Sequence, residues 1–311
     1  MLMTSPETII SPLTGRRDAR LVSTISAAYI IEEYLKQFNL DVSNYFEGIP
    51  QIGIYECPGT GFRFFHPASI AGKASLYQHL GQYPWFYQEG KWEHTVALTY
   101  LHAGQKILDV GCGTGRFLLS AKREKGAEAT GIELNADSVQ TARAQGLDVV
   151  NELIDDHVRT RPQYYDVVCL FEVLEHVPSA GPFITNCLQA LKPGGLFIVA
   201  VPNNDAFIKY ASDAVLNGPP HHMGLWTRTS LTALQRLFPI EALCIAVEPL
   251  NTIEWYQSVM ERRYLPERWI RSLYYWLGGA KRFNQYLADN AASIAGHTII
   301  AVYRKLDEFP V

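Results

Sequence analysis

The chain has 311 residues, of which 48% are hydrophobic and 12% aromatic, so it can bury a full core as one large domain or as a domain with an extension. Its 27 basic and 31 acidic residues leave a formal net charge of −4, which gives no bulk electrostatic basis for binding nucleic acid. There is no signal pattern at the N-terminus and no apolar run long enough to span a bilayer, and the five cysteines are scattered in mostly apolar contexts. We therefore expect a soluble, cytoplasmic protein.

Residues 1–75 lack the alternation of strands and helices that begins at Lys106. Two similar fragments lie within them, Ser11-Pro12-Leu13-Thr14-Gly15 and Cys57-Pro58-Gly59-Thr60-Gly61. Each has the form of a zinc knuckle, C-P-x-C-G, whose thiolates pair with those of a second knuckle. Only one of the four ligand positions is a cysteine, and hydroxyls are poor zinc ligands. We expect a degenerate, zinc-ribbon-like β-module without metal, together with a helix over residues 27–38; a chance similarity of two Pro/Gly-rich loops is the alternative.

The stretch from Leu76 to Leu101 is dense in aromatic residues and has a helical pattern. Such residues most often pack against a core, but they could also cover a cationic ligand, because aromatic faces attract cations. In that second interpretation, the residues that contact the ligand or its reaction partner are Tyr77, Tyr87 and Trp92.

The stretch from Ile107 to Arg116 has the pattern of a buried parallel strand, a tight turn and the start of a helix. Glycines at 111, 113 and 115 let the backbone approach a ligand, and the helix N-terminus offers unpaired N–H groups. Asp109 adds a carboxylate, and Glu133 ends the next apolar strand, where dinucleotide folds bind a ribose hydroxyl. Arg116 stands where a nicotinamide fingerprint needs its third glycine. The loop therefore suits a nucleoside without pyrophosphate, such as S-adenosylmethionine.

Strands and helices alternate through the rest of this region. Strands are predicted over 127–132, 148–150, 165–170, 196–201, 240–247 and 298–304, and helices over 114–125, 136–145, 182–191 and 230–238. This alternation predicts an α/β fold with a doubly wound, Rossmann-like sheet, in which ligands bind beyond the carboxyl ends of the strands.

Four motifs together resemble a class I S-adenosylmethionine-dependent methyltransferase. They are Asp109–Gly115, Glu133, the segment Phe171-Glu172-Val173-Leu174-Glu175-His176-Val177-Pro178 and the segment Leu191-Lys192-Pro193-Gly194-Gly195. The resemblance covers residues 104–204, and it is nearest to ubiquinone-pathway O-methyltransferases and bacterial small-molecule and sugar methyltransferases. It implies a seven-stranded sheet whose last strand is antiparallel, in a methyltransferase domain over 76–311. The N-terminal knuckles resemble the entry module of some sugar C-methyltransferases.

The resemblance also implies roles for single residues. The glycine loop would hold the methionine part of S-adenosyl-L-methionine with Asp109 near its amino group, and Glu133 would bind the ribose hydroxyls. Ile154 and Asp155 would flank the adenine, and Phe171 would lie close to the cofactor. The residues expected to contact the cofactor, and its product S-adenosyl-L-homocysteine, are Asp109, Gly111, Cys112, Gly113, Thr114, Gly115, Glu133, Leu134, Ile154, Asp155, Phe171, Glu172 and His176.

Methyl transfer to a hydroxyl needs an aligned nucleophile and a group that removes its proton. The candidates are His176, His221 and His222, since histidine is the natural base near neutral pH. Alternatively, His176 supports the cofactor loop and the histidine pair serves as a cap. A metal site at the pair is disfavoured, because no third ligand is evident at a definable spacing.

Three further residues are candidates for substrate contact. They are Asn203, Asn204 and Trp226, although the two asparagines could simply end the preceding strand. Residues 251–296 form a helical, aromatic and basic insertion before the last strand. This insertion could be a lid or pack on its own sheet, which we favour, or form a homodimer surface or a peripheral membrane contact.

The expected function is transfer of a methyl group to a small-molecule acceptor. The favoured acceptor atom is an oxygen on a sugar, polyketide-like or quinone-like intermediate, and a sugar C-methyltransferase is the nearest alternative. An alternative of another class is a catalytically silent cofactor-binding module with a regulatory or assembly role. Nucleic acid is not expected as a partner, since no basic stripe with interleaved aromatics borders the core motifs.

Overall fold

Two β-sheets organise the part of the chain that the computed structural model describes, which comprises residues 8–83, 90–211 and 213–307. The strands are β1 (Arg20–Ser26), β2 (Gln51–Cys57), β3 (Phe62–His66), β4 (Lys106–Val110), β5 (Glu128–Ile132), β6 (Asp148–Val150), β7 (Tyr165–Phe171), β8 (Leu191–Pro202), β9 (Gly224–Leu225), β10 (Ile240–Pro249) and β11 (Ala295–Lys305). The α-helices are α1 (Ala27–Phe38), α2 (Ala74–Leu80), α3 (Trp92–Leu98), α4 (Arg116–Lys125), α5 (Ala136–Ala144), α6 (Ile154–Thr160), α7 (Ala180–Ala190), α8 (Arg228–Ala233), α9 (Ile253–Tyr264), α10 (Arg268–Trp276) and α11 (Gly279–Asn290).

The larger sheet has seven strands in the order β10-β11-β8-β7-β4-β5-β6. The five strands from β8 to β6 pair in parallel, and β11 runs antiparallel to both β8 and β10. The predicted doubly wound sheet with an antiparallel last strand is therefore confirmed. The strand order reverses between β4 and β7, and a crevice for a ligand opens at such a point beyond the carboxyl ends of the strands.

The central strands are buried on both faces, which explains their continuous apolar runs. In β4, Ile107 and Leu108 are fully buried, and Val167 to Leu170 of β7 are fully buried as well. Each such side chain contributes about 1.5–3 kcal/mol on leaving water, so these strands form a rigid platform for the loops at their ends.

Two predicted boundaries differ from the structure by five residues, and the others by three or fewer. Strand β8 begins at Leu191 rather than at 196, because Leu191 already pairs with Tyr165 of β7 ahead of a bulge. The helix expected over 230–238 is α-helical only to Ala233 and continues as a short 3₁₀ turn; its start at Arg228 is fixed by the side chain of Thr227, which caps it.

The smaller sheet has four antiparallel strands in the order β1-β2-β3-β9. Its last strand, β9, comes from the segment after β8, and Trp226 beside it packs on Phe62 with ring centroids 4.3 Å apart. The predicted β-ribbon and the helix over residues 27–38 are present. The division of the chain at residue 75 remains a prediction.

The two knuckle-like fragments face each other in this ribbon. Thr14 Oγ1 lies 3.9 Å from Cys57 Sγ. The Ser11 hydroxyl accepts hydrogen bonds from the backbone N–H groups of Leu13 and Thr14, and the Thr60 hydroxyl accepts one from Phe62. The hydroxyls at the former ligand positions thus satisfy the backbone of the turns themselves.

Helices α9 to α11 form the predicted insertion before the last strand. Val259 of α9 and Leu287 of α11 are fully buried against Phe207 and its neighbours. Helix α10 buries none of its residues and leaves Trp269 and Trp276 exposed. No helix in the described ranges is long and apolar enough to cross a membrane.

Candidate functional site

The glycine loop after β4 packs directly on the segment that follows β7. The backbone N–H groups of Gly111 and Cys112 both donate to the Ile132 carbonyl oxygen of β5, which fixes the loop at the end of the sheet. Gly111 has a φ of +76°, and a Cβ there would lie 2.6 Å from Cγ2 of Val173. Glycine is therefore required for two reasons, its left-handed backbone and the close contact. The segment 172–176 is thereby in contact with the loop.

The Glu133 carboxylate holds the loop from the other side. Its Oε2 accepts a 2.9 Å hydrogen bond from the N–H of Gly113, and its Oε1 accepts a 2.8 Å bond from the N–H of Asn135. Asn135 in turn caps helix α5 with its side chain. Each carboxylate oxygen keeps a second lone pair, so Glu133 can also accept hydrogen bonds from a pair of ribose hydroxyls.

Asp109 is a buried acid with an unused oxygen. Its residue is 2% exposed, and Oδ1 makes no hydrogen bond within the described residues. Burial, and then the nearby Glu133, raise the pKa of Asp109 to about 8. A buried acceptor of this kind is unfavourable unless it gains a partner. The ammonium group of a bound methionine part would be such a partner, so the residue fits the expected cofactor.

The other residues expected at the cofactor line the same edge of the sheet. Cys112, Ile154 and Phe171 are buried, whereas Leu134 and Asp155 are exposed and Thr114 is half-buried. Phe171 packs on Phe117 of α4 with ring centroids 4.6 Å apart. No contact in the ligand-free chain tests their expected roles, which remain predictions.

The turn after β7 holds two buried carboxyl groups. Glu172 adopts a φ of +55°, which is unusual for a residue other than glycine and often marks a functional position. Burial, and then Glu93, raise the pKa of Glu172 to about 8. Burial, followed by the charge of Glu172, raises the pKa of Glu175 well above its usual value. Burial thus favours the protonated form of both carboxyl groups, and a cation nearby would favour the charged form.

Three histidines meet beside these carboxyl groups. The ring of His176 lies 4.5 Å from that of His221 and 4.8 Å from that of His222, centroid to centroid. Nε2 of His176 is 3.8 Å from Oε1 of Glu175, and Nε2 of His222 is 4.0 Å from the same oxygen. All three catalytic candidates are thus in one cluster, although His176 lies 45 residues before His221 in the chain.

Tyr77 is the substrate candidate closest to this cluster. Its hydroxyl donates a 3.3 Å hydrogen bond to the His221 carbonyl oxygen, and its ring lies 5.3 Å from that of His176. Trp92 is half-buried at the start of α3, where it packs on the core. Tyr87 lies outside the described residues.

The remaining substrate candidates contact the protein itself. Asn203 Nδ2 donates to the Gly296 carbonyl oxygen, and Asn204 Nδ2 donates to that of Pro202. Asn204 also lines a groove of about 730 Å³ between the ribbon and the segment after β8. Trp226 is fully buried. These contacts account for the three residues structurally, and their role toward a substrate remains a prediction.

Several charged groups near the site were missed by sequence reasoning. They are Lys91, Glu93, Glu248 and His297. Lys91 Nζ lies 3.7 Å from Glu93 Oε1, and its positive charge offsets part of the rise that burial causes in the pKa of Asp109 and Glu172. Burial, and then Glu93, raise the pKa of Glu248 to about 7. No motif marks these residues, since Lys91 and Glu93 lie at the start of α3, Glu248 lies near the end of β10 and His297 near the start of β11.

The comparisons with known proteins agree with this site. A family model described as a methyltransferase domain matches residues 85–238. Ubiquinone biosynthesis O-methyltransferase of Klebsiella pneumoniae is 40% identical over 108 residues, which are 33% of this chain and 44% of that protein. Its counterpart in Yersinia enterocolitica is 43% identical over 97 residues, 29% of this chain and 40% of that protein. The chain thus spans less than half the length of these relatives.

Solved structures resemble the chain at lower identity. A methyltransferase of Geobacter sulfurreducens in complex with S-adenosyl-L-homocysteine is 14% identical and covers 77% of this chain and 100% of its own, with a TM-score of 0.46. A methyltransferase of Archaeoglobus fulgidus is 17% identical and covers 75% and 95%, with a TM-score of 0.47.

The matched region contains the glycine loop, the acid that follows β5 and the turn after β7, on a sheet with the strand order described above. Residues 85–238 therefore form a methyltransferase domain of the class I S-adenosylmethionine-dependent kind, with S-adenosylmethionine as its cofactor.

Proposed function

We propose that the protein transfers a methyl group from S-adenosylmethionine to a hydroxyl oxygen of a small molecule. The observation that carries this proposal is the contact between the two halves of the site. Val173 lies against Gly111, so the loop expected to hold the methyl donor adjoins the turn that carries Glu175 and His176. A donor and a base on the acceptor side are the two parts that methyl transfer to oxygen requires.

Binding of the donor rests on Glu133 and Asp109. When bound, S-adenosylmethionine supplies a methyl group on a positively charged sulfur. The carboxyl groups of Asp109 and Glu172 are buried at the loop, and a cationic ligand would favour their charged forms. Glu133, whose oxygens already accept two backbone hydrogen bonds, would orient the ribose.

The histidine cluster supplies the base. Burial lowers the pKa of His176 to about 4, and it lowers the pKa of His221 and His222 well below the usual value. All three imidazoles are therefore neutral at pH 7, which is the form that accepts a proton. As the acceptor oxygen bonds to the methyl carbon and the carbon–sulfur bond breaks, the hydroxyl proton would pass to a histidine nitrogen of the cluster.

The relatives support an oxygen acceptor over a carbon acceptor. The curated proteins that match about a third of this chain are named as O-methyltransferases. The acceptor class we propose is a sugar, polyketide-like or quinone-like hydroxyl compound. Two alternatives would replace this proposal. One is methyl transfer to carbon in a sugar pathway, and the other is a module that binds the cofactor without turnover.

Isotope transfer from labelled S-adenosylmethionine to a panel of quinol, phenol and sugar acceptors tests the proposal. We expect a methyl ether in at least one class of product, identified by NMR. A C-methyl product would replace the oxygen acceptor, and tight cofactor binding without transfer to any acceptor would support the silent module.

A double variant tests the role of the histidines. His221→Asn with His222→Asn should lower kcat by about 10²–10⁴-fold, the usual contribution of a general base, while the Kd for S-adenosylmethionine stays unchanged. His102→Asn is the control, since His102 is an exposed histidine that does not belong to the cluster. Wild-type turnover in the double variant would remove the pair from the mechanism.

A further inference from the structure

The three clustered histidines have the spacing of a metal site. One ligand atom from each of His176, His221 and His222 lies within 4.8 Å of the other two. Across residues 8–83, 90–211 and 213–307, this is the one group of three histidine, cysteine or acidic side chains with that geometry. The sequence cannot reveal it, because the first ligand lies far from the other two along the chain.

The same nitrogen of each ring, Nδ1, lies beside an oxygen acceptor. Nδ1 of His176 lies 2.8 Å from the His221 carbonyl oxygen, Nδ1 of His221 lies 3.1 Å from that of Leu216, and Nδ1 of His222 lies 3.3 Å from Oδ1 of Asn217. An oxygen acceptor at Nδ1 keeps the proton on that nitrogen and directs the Nε2 lone pair elsewhere. Histidines that bind metals are oriented in this way by their surroundings.

A fourth donor lies beside the rings. Oε1 of Glu175 is 3.8 Å from Nε2 of His176 and 4.0 Å from Nε2 of His222. Glu175 is 1% exposed, and neither of its carboxyl oxygens makes a hydrogen bond within the described ranges. A buried carboxyl group without a hydrogen-bond partner is unfavourable unless it gains one. A cation at the centre of the cluster would stabilise its charged form.

We propose that His176, His221, His222 and Glu175 bind one divalent transition-metal ion. Three nitrogens and one oxygen suit zinc, cobalt, nickel or ferrous iron, whereas magnesium prefers oxygen ligands. Zinc–nitrogen distances of about 2.0–2.1 Å imply roughly 3.3 Å between ligand atoms, so the side chains close inward by rotation when the ion binds. The site would be distinct from the glycine loop, on the acceptor side.

The ion would bear on the acceptor. With the ion bound, the three imidazoles could not also accept the hydroxyl proton. The ion would instead hold the acceptor hydroxyl beside the methyl donor and lower its pKa, so that its proton passes to solvent. This consequence rests on the proposed transfer to a hydroxyl, with the ion in place of the histidine base. The binding of metal itself does not, because metal content is measured without turnover. Metal binding without methyl transfer would leave this proposal standing, and methyl transfer without metal would leave the other.

Equilibrium dialysis of the chelator-stripped full chain against zinc or cobalt tests the site. The wild type should take up one ion per chain in the presence of a large excess of magnesium. His222→Gln and Glu175→Gln should each weaken uptake by at least about tenfold, in line with the loss of one ligand. His102→Gln, which removes an exposed histidine, should bind as the wild type does. Equal binding by the ligand variants, or displacement by magnesium, would overturn the proposal.

X-ray absorption of the zinc-loaded wild type gives a readout that needs no variant, so misfolding of a variant cannot obscure the answer. Three imidazole ligands are expected. Two or fewer, or an absence of bound zinc after dialysis, would contradict the site.

Discussion

The backbone N–H of Gly113 donates a 2.9 Å hydrogen bond to Oε2 of Glu133, twenty residues further along the chain. The acid that is expected to bind the ribose therefore also fixes the loop that is expected to hold the methionine part. One side chain thus couples the two halves of the cofactor site, and its loss should affect both.

Replacing Glu133 with glutamine should weaken the binding of S-adenosylmethionine by about 10–100-fold, because a hydrogen bond to a charged group contributes about 1.5–3 kcal/mol. Isothermal titration calorimetry measures the change. Glu128→Gln is the matched control at the start of β5, the strand that Glu133 follows, since Glu128 is exposed. A Kd in Glu133→Gln equal to that of the control would remove Glu133 from the cofactor site.

Binding of the cofactor at pH 7 should release protons. Ligand-free Asp109 has a pKa raised to about 8, so it is mostly protonated at pH 7. A positively charged ligand favours its carboxylate and lowers that pKa, so the proton leaves on binding and affinity rises with pH up to about pH 8, where the ligand-free group is itself half ionised. Calorimetry in two buffers with different ionisation enthalpies measures the release, and Asp109→Asn should reduce it. Proton uptake by the wild type would contradict the assignment.

Gly111→Ala should disrupt the glycine loop more than the same change at another left-handed glycine. A Cβ at 111 meets Val173 at 2.6 Å, whereas one at Gly146, with a φ of +75°, meets nothing within 4 Å. We expect Gly146→Ala to cost about 1 kcal/mol in backbone strain, and Gly111→Ala to cost a further 1–3 kcal/mol or so from overpacking. Chemical unfolding measures both.

The second change Val173→Ala isolates the clash at Gly111. It should recover most of the additional free energy of unfolding that Gly111→Ala loses, and part of the affinity for S-adenosylmethionine. If the double variant is as unstable as the sum of the two single variants, then the contact between the loop and the turn after β7 is not what limits residue 111.

Trp226 should contribute to stability rather than to turnover alone. It is fully buried against Phe62, so Trp226→Ala should lower the free energy of unfolding by about 3–5 kcal/mol. Trp276 is 81% exposed, and Trp276→Ala should change it by less than about 0.5 kcal/mol. Urea denaturation followed by circular dichroism compares them, and equal effects would contradict the packing described for the ribbon.

The parts of the fold that the sequence predicted are those with local signals. The run from Ile107 to Arg116 contains a strand, a turn and a helix start within ten positions, so its structure could be recognised directly. Glu133 could be placed because the helix and strand between it and the loop have fixed lengths. The parallel strands were recognisable for the same reason, since burial on both faces requires apolar runs.

The parts that could not be predicted depend on pairing over long distances. Strand β9 is two residues long and joins β3, more than 150 positions earlier in the chain, and no periodicity exists in so short a strand. His176 meets His221 because parallel strands β7 and β8 bring their carboxyl ends together. Lys91 and Glu93 reach the site from the start of α3, and a single buried acid in an aromatic segment has no sequence pattern that would identify it.

A crystal structure of the full chain with S-adenosyl-L-homocysteine tests most directly whether donor and base share one space. We predict that the methionine part lies on the glycine loop with its ammonium group at Asp109, that the ribose hydroxyls bind Glu133, and that the sulfur faces the cluster of His176, His221 and His222. A ligand whose sulfur points away from the cluster, or that binds away from the loop, would contradict the account.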